Sequence, residues 1–218
     1  MINNICLINL DLIIGVFIVL SLTGIVALRF IIVNLHTFLA KHNPLAADIL
    51  VVEGWLPDYA IEAALVEFKQ SSYRRIVTIG GPIDRGSYLF QYKTFAALAA
   101  ETLTTMGLDT KYLLTLPFNS VSINRTYDSA MELKQWLEST NLQINSLNLF
   151  TLGTHSRRSW ILFKKVFEPQ VKVGIISVES KHYDRQKWWR SSEGTRTVIS
   201  EFIAYSYARL FTKNTLSK

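Results

Sequence analysis

The chain has 218 residues, 49% of them hydrophobic and 18% charged, with 10 Gly and 5 Pro. That balance excludes disorder and low complexity, and after an apolar N-terminal stretch it leaves enough chain for one ordinary domain. The 23 Lys and Arg against 17 Asp and Glu give a net charge of +6, but the basic residues are dispersed and carry no recognition motif, so nucleic acid is not an expected partner. The single cysteine, Cys6, excludes an intrachain disulfide and a cysteine-based zinc site.

From Leu12 to Leu28 the sequence LIIGVFIVLSLTGIVAL carries no charge, and Phe30 to Val33 extend it past Arg29. That approaches the ~20 residues a bilayer-crossing helix needs, and the run is apolar all round, unlike a surface helix of a soluble core. The start, MINNICLINLD, has no basic residue and its nearest charge is Asp11, so the segment reads as an uncleaved anchor and not as a secretory signal. The predicted span covers residues 12–33, within an anchor and linker of residues 1–43, and the lipid bilayer is the first expected partner. Arg29 and Lys41 follow the span and favour a cytoplasmic domain.

From residue 44 to 218 short apolar runs alternate with amphipathic stretches, the pattern of repeated β-α units. Asp48 to Glu53 (DILVVE) reads as a buried parallel strand. Pro57 opens a helix with Ile61, Ala64, Leu65 and Phe68 on one face. Arg75 to Gly81 (RIVTIGG) is a second strand, and Phe95, Leu98, Leu103 and Met106 mark the next helix. Tyr112 to Leu116 is a short strand, and Tyr127 to Leu137 a helix turning Ala130, Leu133 and Leu137 inward. Leu147 to Leu152 (LNLFTL) leads through Gly153-Thr154-His155 into a helix with Trp160, Phe163, Val166 and Phe167, stopping before Pro169. Val171 to Val178 is the last strand, followed by Trp188-Trp189 and a closing helix in which Ile199, Phe202, Ile203 and Leu210 repeat at helical spacing. The predicted fold is α/β: a doubly wound, mostly parallel, Rossmann-like sheet with helices on both faces, preceded by a transmembrane helix.

In such a sheet ligands bind outside the carboxyl ends of the strands, and four clusters stand there: Glu53-Gly54-Trp55, Gly80-Gly81-Pro82 with Arg85, Asn124-Arg125-Thr126, and Thr154-His155-Ser156-Arg157-Arg158. Gly80 and Gly81 read either as a tight turn or as backbone open to an anion. Glu53 reads as a general base or as a solvated loop acid. His155 with Arg157 and Arg158 would suit a phosphate or carboxylate, His as acid or base and Arg as a bidentate partner, or it is only a solvated helix start. Asn124 and Thr126 read as substrate contacts or as helix caps. No dinucleotide glycine fingerprint, phosphate-binding loop or nucleophile elbow is present, and His36, His42, His155 and His182 lack the paired spacing of a zinc site. No particular cofactor is implied.

Taken together, VVEGW, the Gly80-Gly81 strand end, NRTYDSA and THSRRS resemble the SanA/YdcF/ElyC-like family, over roughly Asp48 to Leu210. Glu53-Gly54-Trp55 stands where that family usually has a glycine pair, which marks a subgroup. The resemblance implies a Rossmann-like domain tethered by an N-terminal membrane segment, outside the cytoplasmic membrane, with a role in cell-envelope biogenesis and lipid-carrier or peptidoglycan metabolism. The leading expectation is an envelope protein, an enzyme or enzyme-like, acting on an anionic small-molecule or lipid-linked ligand. Glu53 and His155 are the catalytic candidates; Gly54, Gly80, Gly81, Arg85, Asn124, Thr126, Arg157 and Arg158 are the substrate-binding ones. Substituting His155 or Arg158 is expected to abolish turnover with little change in melting temperature. The alternatives are a non-catalytic sensing module and a cofactor-dependent transferase.

Overall fold

The computed structural model describes residues 2–83, 91–118 and 124–211. Five parallel strands, β1 (Ile49–Glu53), β2 (Arg75–Gly80), β3 (Leu113–Pro117), β4 (Ser146–Leu152) and β5 (Lys172–Val178), form one sheet in the order β3-β2-β1-β4-β5. Four helices connect them: α2 (Asp58–Gln70), α3 (Phe95–Thr105), α4 (Arg125–Ser139) and α5 (Ser156–Phe167). Alternate residues of a strand face opposite sides, and β1 is apolar on both. Leu50 and Val52 pack with Ile61, Leu65 and Phe68 of α2 and Leu103 of α3, while Ile49 and Val51 pack with Leu133 and Leu137 of α4 and Phe163 and Val166 of α5. Helices therefore cover both faces, and the chain reverses its direction across the sheet between β1 and β4. The fold is a doubly wound, Rossmann-like α/β sheet, and the reversal opens a crevice at the carboxyl ends of β1 and β4.

The strands lie within a residue or two of their predicted places. The inward face of α3 does not follow the predicted apolar repeat: Ala96, Ala99, Ala100 and Leu103 are buried, Leu98 is half-buried and Met106 is exposed. Small side chains let this helix lie close to the sheet, which an apolar repeat does not report.

The N-terminal helix α1 runs from Ile2 to Leu39, and its stretch Leu12–Leu39 is long and apolar enough to cross a membrane, with mean hydropathy 2.6. Apolar side chains from Leu12 to Ile31 and Val33 are exposed, whereas Ile32 is half-buried and Leu35, His36 and Leu39 are buried against the domain. The helix thus outruns the predicted span of residues 12–33 by about a turn and a half and docks. Its final carbonyls, which have no partner within the helix, are taken by α5: Ser156 Oγ donates to Leu39 at 3.1 Å, and Arg157 Nε donates to Phe38. Higher up, the Trp188 ring N–H donates to the Ile32 carbonyl at 3.1 Å.

The expected linker is a strap bonded to the sheet. Asn43 exchanges backbone hydrogen bonds of 2.8 and 3.1 Å with Ile175 of β5, antiparallel to it. Both the amide and the carbonyl of Leu45 are held by the Asn148 side chain of β4, at 2.9 and 2.7 Å. The strap carries the chain from the carboxyl edge, where α1 ends, to the amino edge, where β1 begins. The closing helix α6 (Ser192–Phe211) forms where its apolar repeat predicts, but that repeat faces outward: Ile199, Phe202, Ile203 and Leu210 are all exposed. The packed side carries Val198, Glu201, Tyr205 and Ala208.

Candidate functional site

Glu53 is the last residue of β1, and His155 ends the tight turn Gly153–His155 that joins β4 to α5. Gly153 has φ +46, a backbone conformation side chains rarely tolerate, and this lets the strand pass into the helix without a longer loop. The two side chains meet at the crevice, with His155 Nε2 3.6 Å from Glu53 Oε2. Glu53 is buried to 4% exposure, and its carboxylate accepts from Thr151 Oγ1 of β4 and from Ser159 Oγ of α5, the latter at 3.0 Å.

The other imidazole nitrogen faces α6. His155 Nδ1–H donates to Glu201 Oε1 at 2.9 Å, and Arg158 grips the same carboxylate through Nε at 2.9 Å and Nη2 at 3.1 Å. Arg158 Nη1 also donates to Thr126 Oγ1 of α4 at 3.3 Å. The Trp55 ring stands edge-on to the imidazole, centroids 4.9 Å apart. Burial disfavours a charged imidazole, but the Glu53 carboxylate and the Glu201 hydrogen bond outweigh it, and His155 is pushed up to about 9. Arg158 Nη2, 2.8 Å from Nδ1, opposes this without reversing it. Glu201 resists ionisation through burial, yet the bonds from His155 and Arg158 pull it down to about 2. Glu53 is likewise lowered, burial being overcome chiefly by His155. At neutral pH the cluster holds one imidazolium between two carboxylates.

These residues form one end of a cleft of about 940 Å³ between the sheet edge and α6. Its polar lining includes Asn124, Arg125, Thr126 and Glu201, and its apolar walls come from Phe95, Phe118, Leu162, Ile203 and Tyr207. Gly80 and Gly81 line it too, but as close contacts: a Cβ on Gly80 would stand 2.8 Å from that of Phe95, and one on Gly81 2.8 Å from the Phe118 ring. Gly54 lies beneath, where a Cβ would meet the Phe95 carbonyl oxygen at 2.5 Å.

No protein-family model matches the chain, and no curated protein matches it.

Of the residues singled out in the sequence, Glu53, His155, Arg158 and Thr126 are brought into one connected cluster, and Asn124, Gly80 and Gly81 line the cleft beside it. Asn124 precedes α4 in the N-cap position, its carbonyl accepting from Asp128 N at 3.1 Å, and its side chain makes no cap bond. Arg157 turns away: its guanidinium lies 4.0 Å over the Phe38 ring, so it fastens α1 and is not among the cleft-lining residues. Arg85 lies outside the described residues. Sequence reasoning passed over Thr151, Ser159 and Glu201. Ser159 follows His155 by one helical turn, and Glu201 is the only acid in the chain after Glu193, standing between Ser200 and Phe202 in the closing helix; an isolated carboxylate there was the available signal.

Chemically, Nε2 is the distinctive atom. It is buried, and its nearest acceptor, Glu53 Oε2 at 3.6 Å, lies beyond hydrogen-bond distance, while the two carboxylates favour the charged ring. A buried polar group without a partner is uncommon, and this one can give its proton to an oxygen arriving from the cleft. Both Glu53 oxygens already accept bonds from hydroxyls. The Arg125 side chain lines the cleft, and α4 and α5 begin there, so their positive ends favour an anion. Among the described residues no three His, Cys, Asp or Glu side chains are placed to hold a metal ion.

Proposed function

We propose that this is a membrane-anchored protein of cell-envelope biogenesis whose cleft takes an anionic, phosphate-containing group of a lipid-linked or small-molecule precursor, with His155 as the proton donor. The observation that carries this reading is the buried imidazole whose Nε2, paired with Glu53 only at 3.6 Å, has no acceptor at hydrogen-bond distance, at the strand switch point of a doubly wound sheet. In this reading Arg125 and the first turn of α4 hold the anion, a water entering from the cleft attacks the phosphorus and passes its proton to the phosphate oxygens, and His155 protonates the oxygen that leaves as its bond to phosphorus breaks. Glu53 acts as the counter-ion that keeps the imidazole charged. Apolar walls of the cleft suit a ligand with a hydrocarbon part beside its charge. The likeness of VVEGW, NRTYDSA and THSRRS to SanA/YdcF/ElyC-like proteins supports the envelope assignment, with the domain outside the cytoplasmic membrane. The long apolar α1 supports single-pass anchoring.

A second reading, a ligand-binding module that does no chemistry, has one observation in its favour: Glu53 has both oxygens engaged and offers no ready base. A single assay separates the two. The full chain in nanodiscs is incubated with phosphorylated sugars, nucleotides and soluble polyprenyl-phosphate analogues, following both thermal shift and release of inorganic phosphate or alcohol, with His155→Gln in parallel. A shift with turnover, both lost in the variant, is expected of the enzyme; a shift without consumption leaves the module. Unchanged melting with every anion, or a shift indifferent to His155, sinks both.

A further inference from the structure

Among the described residues no other element packs over the outward row of α6. Ile199, Ile203, Tyr207 and Leu210 follow one another at helical spacing with exposures of 40, 63, 52 and 74%, an apolar stripe on the side opposite Glu201 and Ala208. A soluble surface helix normally shows water a polar face, and this one sets a continuous apolar row among its exposed Thr195, Arg196, Ser200 and Arg209.

What covers the row follows from where α1 leaves the domain. The helix ends on the first residues of α5, at the carboxyl edge of the sheet, and the Trp188 ring N–H binds the carbonyl of Ile32, about 10 Å farther along α1. The carboxyl edge is therefore the side toward the membrane span. Trp189, next to that contact, is 40% exposed and flanked by exposed Lys187 and Arg190, the side-chain mixture that sits at lipid headgroups. Two residues later α6 begins. It is laid across the same edge, with Tyr205 against Phe38 of α1 at 5.5 Å and Glu201 reaching down to His155. Its free row, opposite Glu201, faces away from the sheet and toward the side from which α1 comes.

We propose that the outer face of α6 lies in the bilayer interface, beside α1, as an in-plane apolar contact with lipid. Ile203 and Tyr207 belong both to this row and to the cleft wall, so the mouth of the cleft opens at headgroup level, and a lipid-borne anion reaches His155 without its chain leaving the membrane. The inference rests on the anchoring part of the proposed function and not on the chemistry of His155.

The test reconstitutes the full chain, with Cys6→Ser as background, in phosphatidylglycerol–phosphatidylcholine vesicles. Single cysteines carry a fluorophore: Ile203→Cys and Leu210→Cys on the row, Phe17→Cys in the span, and Gln170→Cys in the exposed turn before β5 as the aqueous reference. Spin-labelled lipids are expected to quench the two row positions several-fold more than position 170, with iodide quenching in the opposite order. If the row behaves like position 170 while position 17 is quenched by lipid, α6 stands in water and the inference falls alone. Shielding of the row from both quenchers means that a second copy covers it, and also overturns the inference. No lipid quenching at position 17 removes the anchoring reading and this inference together.

Discussion

At His155 two carboxylates share one buried cation, and the shifts set a pH window. Its folded value of about 9 lies above the ordinary 6.5, so its contribution to stability is complete below 6.5 and fades as pH rises through 9. Glu201 runs the other way: held at about 2 against an ordinary 4.5, it contributes fully above 4.5 and loses its contribution as pH falls toward 2. The melting temperature is accordingly expected to be highest between 4.5 and 6.5 and to decline through 9, and His155→Gln should flatten the alkaline limb; calorimetry across that range checks both. A histidine C–H resonance titrating near 9 and moving down in Glu201→Gln is the direct spectroscopic check. The same burial revises the expectation that His155 can be removed at no cost to folding. His155→Ala leaves Glu53 buried without its cation, and about 3–5 kcal/mol of stability should go with it. His155→Gln keeps more of the volume but also removes the cation, so loss of activity in either variant must be read below its own melting temperature. Gly54 teaches a similar lesson. Its place in VVEGW suggested a ligand turn, but Gly54→Ala would drive a Cβ against the Phe95 carbonyl oxygen, and unfolding should show a loss of about 1–3 kcal/mol. Local sequence marks such a glycine; only the fold reveals that the neighbour it makes room for is the start of α3.

Among the elements, the strands were the most legible, because a parallel strand buried on both faces is mostly apolar and LVV, IVTI and LNLF are, with Thr78 and Asn148 the polar exceptions. Helices were legible as helices and less so as faces. In α6 the outward row was the conspicuous apolar repeat, while the packed side is built from Val198, Glu201, Tyr205 and Ala208, a mixture that no hydropathy pattern singles out. The pairing of α1 with α6 was not visible either, since it turns on Trp188, whose neighbour in sequence, Trp189, is exposed. Trp188 is 3% exposed, wedged beside Leu35, Leu39 and Val198. Trp188→Phe should lose only the bond to the Ile32 carbonyl, about 0.5–1.5 kcal/mol. Trp188→Ala should lose the packing as well, about 3–5 kcal/mol; chemical unfolding in detergent distinguishes the two.

On the scale of the whole molecule, β-α alternation announced a doubly wound sheet, and the crevice between β1 and β4 followed from strand order, which one sequence does not display. The sharpest difference concerns the boundary at residue 44. Because Leu35 and Leu39 close a small core with Trp188 and Val198, a chain begun at Pro44 should melt below one begun at Asn34, which retains the docking turns; equal melting would show that the docking adds nothing. In the sequence the strap was the end of an anchor and linker over residues 1–43. It is bonded at Leu39 by Ser156, at Asn43 by Ile175 and at Leu45 by Asn148, whose amide also donates to the Tyr73 hydroxyl at 2.8 Å. With α1 in a bilayer, such a mooring leaves the domain no leash. The cleft cannot swing outward to sample the space beyond the membrane, and its search is confined to a thin sheet of fixed height, so that what it meets is set by lateral diffusion within the lipid plane.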